Sequence, residues 1–379
     1  MRQRIPNITL ILAVALLASC NSPSNGKRFD KPLYTPRYAE KYAVCLTDGQ
    51  SSAIEIRNPW QGAQGVVKQL FVSRQGERAP EWFDGQTVVA DPKRVVCFSS
   101  SHVAMIDALG LADRIVGVSA ADYLSCPRVV ERYRQGLVRE VGYDSNINYE
   151  VLIALRPDAV FIYGTQGENS AVTGKLQELG IPTVYVSDYL EEHPLGKSEW
   201  ILFFGEIFDR RKEAESVFDG IAERYETTRR AALALTEHPS VIFNAPYRDV
   251  WFAPSDNSYM VRLVEDAGGS YVCRGTAGNR SRPLAAESAY RYAMKADLWL
   301  NPNSARTMAQ LITENPKYAD IPAVKNRRVY NCTARQTAGG GSDFWESGSL
   351  RADLALADMV AMIHPTEPNA PLYYFERLE

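Results

Sequence analysis

Two runs of alternating strand and helix patterns flank one long amphipathic helix in this 379-residue chain. That helix constrains the fold more than any other feature. Across 209–236, Ala214, Val217, Phe218, Ile221, Tyr225 and Ala232 share one stripe, because they recur at near-helical spacing. Arg211, Lys212, Glu215, Asp219, Glu223, Arg229 and Arg230 take the opposite face. Asp209 is placed to cap the N-terminus and Pro239 closes off the other end. At ~1.5 Å per residue the helix is roughly 40 Å long, about the width of a domain. It reads as a stiff spine between two α/β lobes.

The first lobe opens with an apolar strand at 95–98, and Ser99, Ser100 and Ser101 begin a helix that Gly110 ends. Strands follow at 115–118, 138–141, 159–163 and 183–186, with helices at 149–155 and 168–179 between them. After the spine, strands at 241–244, 250–252, 298–300 and 328–331 alternate with helices at 259–267 and 287–295. The last long helix lies within 343–363. Short apolar strands alternating with helices imply mostly parallel sheets covered on both faces. A weak internal repeat supports two related lobes. "NYEVLIALRPDAVFIYG" parallels "AAESAYRYAMKADLWLNP", each with a Glu opening a helix and an Asp before an apolar strand. The expected fold class is α/β: two lobes, each with a mostly parallel sheet flanked by helices, joined by one long backbone helix. A small antiparallel β appendage is expected ahead of them, with Asp48-Gly49 as a turn.

Arg2 and Arg4 precede a short apolar run, and Leu17-Ala18-Ser19-Cys20 follows it. A basic start, a short hydrophobic core and a small-residue cleavage site make a secretory signal. The Leu-Ala-Ser-Cys sequence resembles the bacterial lipobox, which implies lipidation of Cys20 and a membrane anchor. The expected division is a signal at 1–20, a Ser/Pro/Asn-rich flexible tether at 21–37 and the β appendage at 38–91. An N-terminal lobe at 92–197, a helical connector at 198–238 and a C-terminal lobe at 239–379 complete it. The remaining five cysteines, Cys45, Cys97, Cys126, Cys273 and Cys332, allow Cys97–Cys126 and Cys273–Cys332 pairs or buried free thiols.

A net charge of −3 gives no whole-chain signal for nucleic acid. Four His without HxH or HExxH spacing argue against a histidine-built metal site. Gly339-Gly340-Gly341 lacks the Lys-Ser/Thr of a phosphate loop and reads as a flexible turn ahead of Ser342-Asp343. No GxSxG nucleophile elbow is present. No cofactor, catalytic residue or metal ligand is assigned.

"KRVVCFSSSHVAMIDALGLADRIVGVS", "VREVGYDSNINYEVLIALRPDAVFIYG", "SYMVRLVEDAGG", "PLAAESAY" and "DFWESGSLRADLALADMVAMIHP" are similar to substrate-binding proteins of ABC importers for ferric siderophores, haem and cobalamin. "PLGKSEWILFFGEIF" and "NPWQGA" resemble an envelope lipoprotein subgroup of that family. The resemblance implies a monomeric protein without enzymatic activity, held to the cell envelope by its lipid and facing the periplasm. Its partners would be a metal chelate or tetrapyrrole and the transmembrane subunits of a permease; the sequence also leaves open an envelope enzyme of haem or chelate chemistry on the same fold, and a receptor or scaffold without small-molecule capture. It also implies that Glu150 and Glu287, one per lobe, meet arginines on that permease. Complementary charge of this kind sets docking register and on-rate, although acidic residues also suit the first turn of any helix. Ligand should lie between the lobes, at the carboxyl ends of the strands. First-lobe candidates are Ser100, Ser101, His102, Tyr123, Tyr143 and Tyr163. Second-lobe candidates are Tyr247, Arg248, Trp251 and Trp345, with Arg282 and Arg335 beside them. Aromatic walls suit large chelates and arginines suit anionic ones. Asp144 stands where relatives that bind cobalamin carry an aromatic, which favours an iron chelate over cobalamin.

Overall fold

The computed structural model describes residues 28–143, 146–164, 167–168, 170–275, 280–302, 305–367 and 370–379. The signal segment, Cys20 and the first part of the expected tether, 21–27, lie outside these residues, as does Asp144.

The core is organised by two consecutive helices. Pro194–Ile207 is buried along its whole length, although it carries Lys197, Glu199 and Glu206. Pro194 suits the first turn, where no amide hydrogen is needed, and His193 Nδ1 accepts the Leu195 N–H at 3.0 Å. The spine Arg211–Leu233 packs beside it through Ala214, Phe218, Ile221, Ala222, Tyr225 and Ala232. The spine starts later than its sequence suggests. Asp209 adopts a left-handed conformation (φ 55°), and its carboxylate meets Arg74 at 3.4 Å instead of capping a helix.

In the N-terminal lobe five strands are all parallel, in the spatial order Thr183–Tyr185, Ala159–Ile162, Val95–Cys97, Ile115–Val118, Arg139–Glu140. In the C-terminal lobe the order is Ser270–Tyr271, Ser240–Phe243, Leu298–Leu300, Val329–Asn331, Glu376–Arg377, with only the last pair antiparallel. A small antiparallel sheet of Pro246–Tyr247, Val250–Ala253 and Arg282–Ala285 is appended to this lobe. The repeated motif performs the same task in each lobe. Asp158 accepts the backbone N–H groups of Lys93 and Arg94 at 2.7 and 2.9 Å, and Asp297 accepts that of Ser240 at 2.8 Å. Each Asp thereby ties one strand to the start of its neighbour. The two strand orders differ, so the relationship is local.

The N-terminal appendage is a five-stranded sheet, Pro32–Tyr34, Tyr42–Leu46, Ser52–Arg57, Val67–Ser73 and Gln86–Val89. Its last pair is parallel rather than antiparallel. Residues 28–37, expected in the tether, belong to this folded body. Pro32–Tyr34 pairs with Tyr42–Leu46, and Phe29 is buried against Phe71, Trp82 and Phe83. Buried glutamates at 191–206, around the start of the connector, hold the sheet in place. Glu199 accepts the backbone N–H groups of Arg37, Tyr38 and Ala39 at 2.7–2.8 Å and the Tyr34 hydroxyl at 2.5 Å. Glu191 accepts those of Glu40 and Lys41 and the Trp200 indole N–H. Glu206 accepts from Ser52 and pairs with Arg74 and Arg211. A carboxylate this deep is tolerated because donors surround it. All five body cysteines are buried free thiols, and neither considered disulfide forms.

Candidate functional site

Each parallel sheet has a point where the chain reverses its direction of winding. In the N-terminal lobe this lies between Val95–Cys97 and Ala159–Ile162, and in the C-terminal lobe between Ser240–Phe243 and Leu298–Leu300. Loops diverge there and leave a crevice at the carboxyl ends of the strands. The first crevice is bordered by Ser99-Ser100-Ser101 and by Tyr163-Gly164. The second is bordered by Asn244 and Asn301, both left-handed at φ 64° and 54°, a conformation Asn tolerates better than most residues. Asn244 donates its side-chain amide to the Phe252 carbonyl at 2.8 Å, and Asn301 Oδ1 accepts the Cys332 N–H at 3.1 Å. The two asparagines fix their loops and were not among the sequence candidates; an Asn directly after an apolar strand was the available signal.

The lobes meet along a seam at one side of these crevices. The tight hairpin at 336–342 seats against the loop that follows strand Ile115–Val118. Thr337 Oγ1 donates to the Asp122 carbonyl at 2.9 Å. A Cβ on Gly339 would lie 2.4 Å from the Asp122 carbonyl oxygen, and one on Gly341 only 2.0 Å from that of Tyr123. Gly339 and Gly341 therefore form a close-packed contact, not the free turn expected from sequence, while Gly340 between them faces open space at φ 97°. Glu346 of the C-terminal lobe completes the seam. Its carboxylate accepts the N–H groups of Ser125 and Cys126 at 2.7 and 2.6 Å, at the N-terminus of the N-lobe helix Pro127–Arg134. Burial pushes its pKa up to about 7; the two N–H groups oppose the shift, and Asp343 and Asp107 add to it.

Tyr123, Tyr143, Tyr247 and Trp345 are all exposed, as ligand walls require. Tyr163 is half-buried and meets Tyr189 edge-on at 6.0 Å. Arg248 is exposed and lies 5.4 Å over the Tyr247 ring. Ser100 is half-buried, whereas Ser101 is buried and shares a 2.9 Å hydrogen bond with Ser99. Arg282 donates to the Cys273 carbonyl. Arg335 pairs with Asp343 at 2.6 Å and covers Tyr373, so its charge is already matched. Two candidates belong to the interior. Trp251 is 1% exposed, stacks on Trp299 and donates its indole N–H to the Phe243 carbonyl at 2.7 Å. The outward residue of that strand is Phe252. His102 is wholly buried among Phe161, Tyr163 and Phe204, and burial lowers its pKa to about 4, against the pull of Asp188. It offers no surface to a ligand.

A polar contact missed from sequence joins the two lobes. Lys197 Nζ donates to the Asp188 carbonyl at 3.3 Å and lies 4.7 Å over the Tyr259 ring. Burial lowers its pKa, against Asp188 and Glu191. Among the described residues no three His, Cys, Asp or Glu side chains converge to hold a metal ion. Glu150 and Glu287 sit in the first turns of Tyr149–Leu155 and Ala286–Ala293, exposed and without an ion pair among the described residues.

A family model described as periplasmic binding protein matches residues 95–336, more than half of the chain. The chain belongs to the periplasmic binding protein family. This family member is 26% identical over 371 residues to an uncharacterized lipoprotein of Methanocaldococcus jannaschii, across 91% of this chain and 84% of the relative. It is 23% identical to an uncharacterized ABC transporter substrate-binding lipoprotein of Bacillus subtilis, across 85% of this chain and 87% of the relative. Among solved structures, a periplasmic heme binding protein of Pseudomonas aeruginosa superposes with a TM-score of 0.58 at 19% identity, covering 76% of this chain and 98% of that one. At that identity the superposition establishes the shared two-lobed fold. The N-terminal sheet lies outside the family match, which begins at Val95.

Proposed function

We propose that this periplasmic binding protein is a lipid-anchored carrier in the cell envelope. It captures an iron chelate, a ferric siderophore or haem, between its lobes and delivers it to an ABC permease. One observation carries the reading: each lobe has a switch-point crevice, and a seam joins the lobes through loops at the carboxyl ends of their strands, where Tyr123, Tyr143, Tyr247 and Trp345 are exposed. Ser100, Tyr123, Tyr143 and Tyr163 would face ligand from one lobe. Tyr247, Arg248, Arg282 and Trp345 would face it from the other, with Arg335 at the rim. Aromatic faces suit the organic shell of a chelate, and the exposed Arg248 suits an anionic one. The heme-binding neighbour and the ABC-associated relative support the ligand class and the partner. Glu150 and Glu287, exposed and without an ion pair among the described residues, would each meet a cationic site on the permease. One spine helix and a tight seam imply small hinge adjustments on binding rather than wide closure.

The test is a tryptophan fluorescence titration with haemin, cobalamin and ferric siderophores, each beside its metal-free form. Saturable binding of one iron chelate at sub-micromolar Kd, ~8 kcal/mol or more, is the expected result. Absence of saturable binding by every iron chelate would reject the proposal.

A further inference from the structure

The loop at 58–65 links the third strand of the N-terminal sheet, Ser52–Arg57, to the fourth, Val67–Ser73, and it is built to hold one shape. Asn58, Gly62 and Gly65 are left-handed at φ 47°, 86° and 68°. The Asn58 N–H donates to the Val66 carbonyl at 2.7 Å, and Asn58 Oδ1 accepts the Val66 N–H in return at 3.1 Å. The closed loop reaches the switch point of the N-terminal lobe. Gln61 N–H donates at 2.9 Å to the carbonyl of Gly164, the residue after Tyr163, and the Tyr189 hydroxyl donates to the same oxygen at 2.7 Å. Ser187 Oγ donates to the Pro59 carbonyl, and Trp60 packs on Tyr185 at 5.5 Å. Gly164 is required here, since a Cβ would lie 2.7 Å from that of Trp60. The loop also reaches the C-terminal lobe: a Cβ on Gly62 would be 2.6 Å from the Arg280 guanidinium.

Beneath the loop is a cavity of about 100 Å³ bounded by all three parts of the molecule: Gln61 from the sheet, Tyr189 and Glu192 from the N-terminal lobe, Ser258 and Tyr259 from the C-terminal lobe. A water's share of liquid volume is about 30 Å³, so the space takes a group of a few heavy atoms. Its lining can donate and accept hydrogen bonds, while the Glu192 carboxylate disfavours an anion. We propose that this loop is a third wall of the ligand cleft, and that Gln61, Tyr189 and Tyr259 form a subsite for an uncharged hydroxyl- or amide-bearing arm of the bound chelate. The inference rests on the reading that an iron chelate occupies the cleft. It narrows that ligand to a siderophore with neutral polar arms, and it gives a specificity role to a sheet outside the family match.

The experiment titrates the full chain, purified in detergent, with a ferric trihydroxamate carrying peripheral amides and with haemin, whose arms are carboxylates. Gln61→Ala should weaken the trihydroxamate about tenfold, the scale of one lost hydrogen bond in a closed site, and leave any haemin affinity within twofold. Trp60→Ala, which unseats the loop from Tyr185, should show the same selective loss. Thermal melts establish that both variants fold. If wild type binds a chelate and both variants match it within twofold, the subsite is overturned while the proposed function stands. Equal losses for both chelates, or wild-type binding of haemin alone, overturn the neutral-arm assignment. Wild type that binds neither overturns the subsite, and the proposed function falls with it if every other ferric siderophore also fails to bind.

Discussion

Glu346 is the point at which pH should act on the contact between the lobes. Its carboxyl is 2% exposed and titrates near 7 instead of the ordinary 4.5. The groups around it are Asp107, paired with Arg128 at 2.6 Å, Asp343, paired with Arg335 at 2.6 Å, the Cys126 thiol and the two donated N–H groups. Because the folded pKa lies above the unfolded one, the folded state holds an extra proton between pH 4.5 and 7. Stability from this group is therefore complete below 4.5 and is lost as pH rises through 7. A rise of about 2.5 units at about 1.4 kcal/mol each gives about 3 kcal/mol. His102 acts in the opposite sense, since its pKa is lowered from 6.5 to about 4 and its contribution is lost as pH falls. The wild-type profile alone would hide both. Glu346→Gln removes the first and keeps the second, so the difference between the two proteins isolates the seam. Urea unfolding at pH 4.5 and 8.5 is the assay, with hydrogen exchange at the Ser125 and Cys126 amides as a local readout. Wild type should lose about 3 kcal/mol relative to Glu346→Gln across that range. Parallel profiles for the two proteins would refute the argument.

Glu150→Arg combined with Glu287→Arg should abolish transport in cells while leaving chelate affinity unchanged; normal uptake by the double variant rejects the docking assignment. Trp251→Ala should destabilise the C-terminal lobe by about 3–5 kcal/mol, as for a buried aromatic, with chelate Kd in the surviving folded fraction within twofold of wild type. A larger change in Kd would return Trp251 to the ligand wall. Gly341→Ala forces a methyl group against the Tyr123 carbonyl and should cost about 1–3 kcal/mol; an unchanged melting temperature would mean that the seam yields freely.

The parts of the molecule legible in the sequence are those set by short-range periodicity. The spine stripe, the apolar strands and the paired Glu…Asp motifs all depend on residues within about twenty positions of one another. Most of the parts that were not legible depend on contacts between residues a hundred or more positions apart. Glu199 and Glu206 had no role assigned from sequence, yet each lies buried because donors arrive from the N-terminal sheet, some 130–165 positions away. Gly339 and Gly341 read as freedom, because the carbonyls that require them belong to Asp122 and Tyr123. Trp251 shows a subtler limit. Alternation along Val250–Ala253 separates Trp251 and Ala253 from Val250 and Phe252, but it does not say which face is inward. The Trp299 ring and the Phe243 carbonyl decide that, and both lie on other strands. The same reasoning bears on the cleft. Aromatics on loops at strand ends could be nominated from sequence because the α/β pattern fixes where strands end. Gln61 could not, because nothing in its own segment shows that a β-sheet ahead of both lobes would fold back onto the carbonyl of Gly164. Specificity supplied by that sheet would vary among proteins that share the two-lobed body, since the body's own alternation does not encode it.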